Sequence, residues 1–336
     1  MRKPAPSALA DLVHVVEAFP RAEVVVAGDF VADEYVYGET ERVSREAPVL
    51  VVRFESSELQ PGGAGNAAQN LAALGVTVRA VGTVGADPLG DRLLEALAAR
   101  GVDVAGIQRV KGRATESKTR ILAGGRSTRR QQMLRLDRAP EGPLPPQART
   151  RLLRDLDRAA RGARAILASD YGSGTVGPDA IDALRRLRTA GTPVCVDSRY
   201  QLAAFAGLTM AKPNEPELEA ASGMKLDGPA TVDRAARSLL KKLACEALLV
   251  TRGRNGMSLY RRGAPAVHVP PHGNLEAVDV TGAGDTCAAT YSAAIAAGAD
   301  PETAARLANV AGALVVAKPG TATVGRRELA DELLRS

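Results

Sequence analysis

Aromatic side chains make up only 3% of this chain. So few rings supply no row of stacking platforms, which argues against single-stranded nucleic-acid binding. The net charge of +6 and the pI near 9.4 would suit a polyanion. The basic residues, however, are scattered among acids along helix-like segments. Cysteine is equally scarce. Cys195, Cys245 and Cys287 stand far apart, are odd in number and match no metal spacing. Free thiols in a reducing compartment are therefore expected, not a disulfide framework. For Cys287, two residues past an acid at a helix start, two readings stand: a lowered thiol pKa, or a small buried residue. The histidines His14, His268 and His272 form no ligand pattern. No apolar run is long enough to cross a membrane. The opening stretch MRKPAPSALADLVHVVEAFP carries charges inside its apolar positions and no cleavage-like site, so it does not read as a signal peptide. These absences point to a cytoplasmic protein without a nucleic-acid or membrane partner.

What is present is ordinary in amount: 45% hydrophobic and 24% charged residues over a length of 336, enough for one large α/β domain or two small ones. A short amphipathic helix is expected over 7–19 and a buried strand over Glu23–Gly28. Alternating β segments follow over 35–54 and Glu116–Asp137. Pro61–Gly75 reads as a turn and then a helix. Further strands are expected at Val76–Gly82, Val102–Val110, Ala163–Ser169, Pro193–Asp197, Leu208–Lys212 and Ala247–Thr251. Helices fall between them at Asp87–Arg100, 147–161 and Asp179–Ala190. Alternation of strand and helix implies parallel βαβ units in one sheet. Gly142–Pro146 is a Pro-rich seam, but the pattern continues past it. One domain over 1–336 is expected.

The chain is organised around VDVTGAGDT, Val278–Thr286. It reads as a loop feeding a buried helix that runs from about Gly284 to Gly298. Gly282 and Gly284 let the backbone approach a ligand. The free N–H groups of the first turn, Ala283 included, favour an anion there. Asp285 in that turn is poorly placed to hold phosphate and well placed to take a proton from a hydroxyl attacking it. Phosphoryl transfer needs that pairing of a base with charge-stabilising donors. An N-terminal Asp beside a Gly turn would look the same, but a second Gly-rich element, PGGAGNAAQN over Pro61–Asn70, stands in the other half of the chain.

Together these two elements resemble the paired signatures of the PfkB (ribokinase-like) sugar kinases, a likeness running from about Val24 to Val324. It implies an α/β ribokinase-like three-layer fold, with a mostly parallel central sheet and a small β-lid from about 34–58 and 113–137. It also implies a homodimer formed through that lid. It implies ATP and Mg²⁺, and a monovalent cation such as K⁺ held by carbonyls of the Ala317–Gly320 loop. By the same likeness Asp33, Gly62, Gly63 and Asn66 meet the sugar. Asp29 is a weaker candidate, and Gln69 and Asn70 are helix surface or structural. Asp170, in SDYGSG, joins the sugar side. The lid segments carry Arg42, Arg45, Lys118, Arg120, Arg129, Arg130 and Arg135. Most of these fit a solvated face, and one or two, with Lys118, Arg120 and Arg135 foremost, fit a substrate phosphate. Asn214 and Glu217 resemble the NxxE motif that orders magnesium, Glu217 acting partly through water. Plain helix capping by Asn214 is the competing use, and both can hold at once. TRGRNG resembles the nucleotide loop, with Thr251, Gly253 and Gly256 on ATP, although a hairpin would look similar. Asn309 resembles the adenine-pocket residue.

GDFVADEYVYGETERVSREAPV, the KTRIL and RQQMLRLD strings and SDYGSG resemble the heptose-7-phosphate kinase branch. Such enzymes phosphorylate the anomeric hydroxyl of a sugar already carrying a phosphate, here D-glycero-D-manno-heptose 7-phosphate, on the way to ADP-heptose for lipopolysaccharide core. Three positions depart from the branch: Ser173 for Lys, Ser198-Arg199 for Pro-Lys, and Glu34 where Arg is frequent. Losing that Lys and gaining a Glu near the sugar would point to a different sugar phosphate. The sequence ends at Ser336, so a kinase without the nucleotidyltransferase half found fused to some relatives is expected. A kinase of a free sugar or nucleoside is the alternative enzyme. A non-catalytic sugar or nucleotide sensor is the alternative class, against which Asp285 argues.

Overall fold

The computed structural model describes residues 6–125, 130–273 and 277–335. In chain order it holds helix α1 (Pro6–Ala18), strands β1 (Glu23–Val43) and β2 (Leu50–Gly63), and helix α2 (Ala64–Ala73). Then come β3 (Thr77–Gly85), α3 (Pro88–Ala98), β4 (Val102–Val110), β5 (Ser117–Gly124) and β6 (Gln131–Arg138). Next are α4 (Pro146–Ala159), β7 (Ala165–Asp170), α5 (Pro178–Thr189), β8 (Val194–Ser198), β9 (Met210–Ala211), α6 (Glu215–Ser222) and α7 (Pro229–Leu243). The chain closes with β10 (Ala247–Thr251), β11 (Met257–Arg261), β12 (Val267–Val269), α8 (Ala283–Ala296), α9 (Pro301–Val316) and α10 (Arg326–Arg335).

The main sheet has the order β12-β11-β10-β9-β8-β7-β1-β3-β4. Its strands from β10 to β4 are parallel, and β11 and β12 are antiparallel additions at one edge. Alternate residues of one strand face opposite layers. Val24 and Val26 pack among α1, α2, α3, α8 and α9, whereas Val25 and Ala27 pack among α4, α5 and α7. The strands are apolar on both faces because helices cover both. Among the described residues, no helix is long and apolar enough to cross a membrane.

The first strand differs from its sequence reading. It does not stop at Gly28. One strand of 21 residues leaves the main sheet and continues outward, pairing with β2 from Phe30 and with β5 from Ala32. With the β5–β6 hairpin it builds an outlying sheet ordered β2-β1-β5-β6. Pro61, Gly62 and Gly63 are therefore the end of a strand, not a turn. Helices α7 and α10 carry no Gly-rich or catalytic signal and were not separately expected. Arg129 lies outside the described residues, as does part of the irregular run before Val278.

Candidate active site

The carboxyl ends of the parallel strands and the outlying sheet enclose a cleft of about 1370 Å³. Such a crevice is where open α/β sheets bind ligands. Asp285 lies on its wall, buried in the first turn of α8. Both carboxylate oxygens accept hydrogen bonds. Tyr171 Oη donates to Oδ1 at 2.7 Å, and Asn66 Nδ2 donates to Oδ2 at 2.8 Å. Burial, then the charge of Asp197, push the Asp285 carboxyl up to about 7, against the pull of those two donors.

The start of α8 has no side-chain cap, and Gly282 before it is left-handed with φ +77°. Among the described residues the amides of Gly284 and Asp285 find no acceptor, while Ala283 N reaches Val280 O at 3.3 Å. The two glycines have different reasons. A Cβ on Gly282 would lie 2.4 Å from Asn66 Nδ2, a clash inside the structure. Among the described residues, a Cβ on Gly284 would meet only the Lys212 ammonium, at 3.5 Å. Lys212 is thus the cation beside the free amides. It is 3% exposed and pairs with Asp197 at 3.1 Å. Burial alone would lower its pKa, but the carboxylates of Asp197 and Glu217 hold it protonated, raised to about 12.

Asn66 differs from its expected role. Its amide is fully engaged within the protein: Nδ2 with Asp285 and Gly282 O, and Oδ1 accepting from Gln69 at 2.9 Å and Asn70 at 3.1 Å. It does not line the cleft. Gln69 and Asn70 are buried, not helix surface, and Asn70 Oδ1 accepts from Thr286 Oγ1 at 3.1 Å. One amide network therefore locks α2 against α8.

Asp33 lines the cleft and is buried, bonded to Arg120 Nη1 at 2.6 Å. Gly62 does not line the cleft; a Cβ there would lie 2.2 Å from Asp33 Oδ2, so its bare backbone makes room for that carboxylate. Gly63 does line it and caps α2 with φ +57°. Lys118, Arg120 and Arg135 face the cleft from the β5–β6 hairpin, Arg120 directly opposite Arg135 in register. Arg120 also stacks on Tyr35, and Arg135 grips Asp137 with two bonds of 2.8 Å. Lys118 has no ion pair among the described residues and lies over the Tyr171 ring. Arg42 and Arg45 are exposed, and Arg130 pairs with Glu55, so these stay outside the cleft. Asp170 lines it, its Oδ2 accepting from Ser198 at 2.6 Å, with burial pushing its pKa up.

Glu34 corrects one expectation. Strand alternation turns it away from Asp33, onto Arg92 and Thr119, and it does not line the cleft. Ser173 likewise bonds Glu116 behind the site. Neither side chain lines the cleft. Cys287 is buried, and burial pushes its thiol up to about 12, which removes the activated-thiol reading.

Also on the cleft wall, Asn214 and Glu217 form a reciprocal capping box on α6, with bonds of 2.8 and 2.9 Å. Glu217 Oε1 keeps no partner among the described residues and the side chain lines the cleft. Thr251 bridges to Asn214. Gly253 and Gly256 follow in a short turn, and Gly256 admits no Cβ because Val269 O would lie 2.1 Å away. Asn309 lines the cleft and donates to Pro270 O at 2.8 Å. Among the described residues no three His, Cys, Asp or Glu side chains gather as a metal cage. In the loop after α9, Gly320 N donates to Asp279 Oδ2 at 3.0 Å.

Sequence reasoning missed Lys212, Asp197 and Tyr171 as site residues. The signal for Lys212 was present: a lysine directly after an apolar strand must be paired if it is buried.

Comparison with known proteins adds three findings. Residues 21–327 match the family model described as pfkB family carbohydrate kinase. The bifunctional protein HldE of Halorhodospira halophila is 44% identical over 312 residues, covering 93% of this chain and 63% of that protein. The chain thus spans less than two thirds of this relative's length. Among solved structures, Arabidopsis thaliana ribokinase complexed with ribose and ATP superposes with a TM-score of 0.73 at 21% identity, covering 93% of this chain and 98% of that one. Escherichia coli phosphofructokinase-2 in complex with potassium gives 0.74 at 19% identity, covering 94% and 98%.

Proposed function

As a member of the pfkB family of carbohydrate kinases, to which this chain belongs, the protein is an ATP-dependent sugar kinase, and we propose that its acceptor is a sugar already bearing a phosphate, D-glycero-D-manno-heptose 7-phosphate first among them. In the proposed reaction Asp285 takes the proton of the anomeric hydroxyl. That oxygen forms a bond to the γ-phosphorus, the bond from the γ-phosphorus to the β–γ bridging oxygen breaks, and ADP leaves. The free amides of Gly284 and Asp285, with the Lys212 ammonium, balance the charge on the group in transfer. Asp33, with Asp170, orients the sugar hydroxyls. Asn214, Thr251, Gly253, Gly256 and Asn309 take the nucleotide end. Mg²⁺, which would be held by Glu217 through water, neutralises phosphate charge when bound. A K⁺ near Asp279 and the Ala317–Gly320 loop belongs to the same reading, as does a cytoplasmic location, where ATP is supplied.

The observation that carries the transfer is Asp285 beside a buried ammonium and two amides that find no partner among the described residues, in one cleft with the Asp33 end. What supports a phosphorylated acceptor is the cationic face of the β5–β6 hairpin, where Lys118 has no carboxylate partner among the described residues. One observation favours a free sugar instead: Arg120 and Arg135 are already neutralised by Asp33 and Asp137.

Each charge-assisted bond contributes about 1.5–3 kcal/mol. Two of them to a distal phosphate separate the phosphorylated sugar from its free analogue by roughly two to four decades in kcat/KM. The test is ATP consumption with heptose 7-phosphate, fructose 6-phosphate, fructose 1-phosphate, ribose, fructose and adenosine. Heptose 7-phosphate is expected to be turned over fastest. A free sugar turned over equally well defeats the phosphate reading.

A further inference from the structure

Tyr171 moves no proton or phosphoryl group in the proposed transfer, yet its side chain ends on the base. Its hydroxyl donates to Asp285 Oδ1 at 2.7 Å. The residue is held from several sides. Asp29 Oδ2 accepts its backbone N–H at 2.8 Å. The same buried carboxylate accepts from Ser173 N and Thr175 N, each at 3.1 Å, and so clamps alternate amides from Tyr171 to Thr175. The Lys118 ammonium lies 5.4 Å from the ring centroid. On another side the ring rests near the bare backbone of Gly63, where a Cβ would be 3.5 Å from Cδ2. A side chain restrained this way has one direction in which to offer its proton.

We propose that Tyr171 is a positioning residue for the phosphoryl-transfer base. Its hydroxyl aims Oδ1 of Asp285 and stabilises the anionic form through a hydrogen bond. The proposal rests on the kinase reading of this site. A carboxylate oxygen has two lone pairs, so the acceptor hydroxyl can donate to Oδ1 without displacing Tyr171.

The charges around Asp285 make such a donor necessary. Asp197 faces it from β8 and disfavours its ionisation, as does burial. Lys212 after β9 favours ionisation, together with the Tyr171 and Asn66 donors. Cys287, on the same helix, is neutral, because burial pushes its thiol up to about 12. Burial and the Asp285 charge hold the Tyr171 phenol well above its usual range, so it stays a donor at any working pH.

Tyr171→Phe keeps the ring and removes only the hydroxyl. With ATP and the fastest acceptor of the panel above, the acid limb of kcat/KM against pH is expected to move up by about one unit. Activity should fall roughly tenfold below pH 7, recover at higher pH, and leave the KM for ATP unchanged. A loss equal at every pH, or an unmoved limb, overturns the proposal. A second measurement needs no acceptor: carboxyl ¹³C titration of the free protein, with the Asp285 signal identified by its absence in Asp285→Asn. A midpoint raised in Tyr171→Phe supports the proposal, and an identical midpoint overturns it. If the midpoint rises while the wild-type protein phosphorylates no sugar, the kinase reading fails and the hydrogen-bond assignment stands.

Discussion

Asp285 has the two attributes a general base needs, a carboxylate poised near neutral pH and a fixed direction. Burial and Asp197 raise its pKa to about 7, and two neutral donors orient it. Asp285→Asn keeps the shape and removes the proton acceptor. General-base catalysis contributes roughly 10²–10⁴-fold, so turnover should drop by at least the lower figure while ATP binding, read by calorimetry, is retained. Turnover close to wild type would remove Asp285 from the mechanism.

At the scale of the element, the start of α8 is where local backbone and distant packing meet. Gly282 is left-handed, and a Cβ there would strike Asn66 of α2. Gly282→Ala should therefore lower the melting temperature as well as activity, through strain and loss of the α2–α8 amide network. Gly284 has ordinary helical backbone, and among the described residues the space beside it is bounded only by the Lys212 ammonium. Gly284→Val should leave circular dichroism and melting nearly unchanged while turnover is lost, because the branched side chain fills the place proposed for the phosphate. If the two variants lose stability equally, Gly284 serves the fold and not the anion.

The whole molecule presents an uneven surface. Val43, Val49, Leu50, Phe54, Leu134 and Leu136 are all exposed, and all lie on the outlying sheet or its connecting turn. We propose that this open apolar sheet face is an interface. A second copy of the chain is the occupant expected from the family likeness. Combined Phe54→Asp and Leu136→Asp substitutions should convert a dimer to a monomer in light scattering. A wild-type protein that is already monomeric at micromolar concentration would refute this.

Much of the design was legible in the chain itself. Valine-rich strands alternating with amphipathic helices dictate a two-faced parallel sheet, because such strands must be covered on both sides. The two Gly-rich elements stand out in the sequence, and so does the acid in the first turn of α8, which carries the proposed role of base. These signals are local: each depends on residues within one turn or one strand. Only the tertiary structure decided the remainder. It carried β1 straight from the core into the outlying sheet, and strand alternation then put Asp33 in the cleft and Glu34 outside it. Across 219 positions it set Asn66 on Asp285, and across 114 it set Tyr171 there. It buried Lys212 against Asp197 beside the helix start. No periodicity or motif spacing encodes these contacts. They follow from which faces the packed layers bring together, and that same burial raises the carboxyl of Asp285.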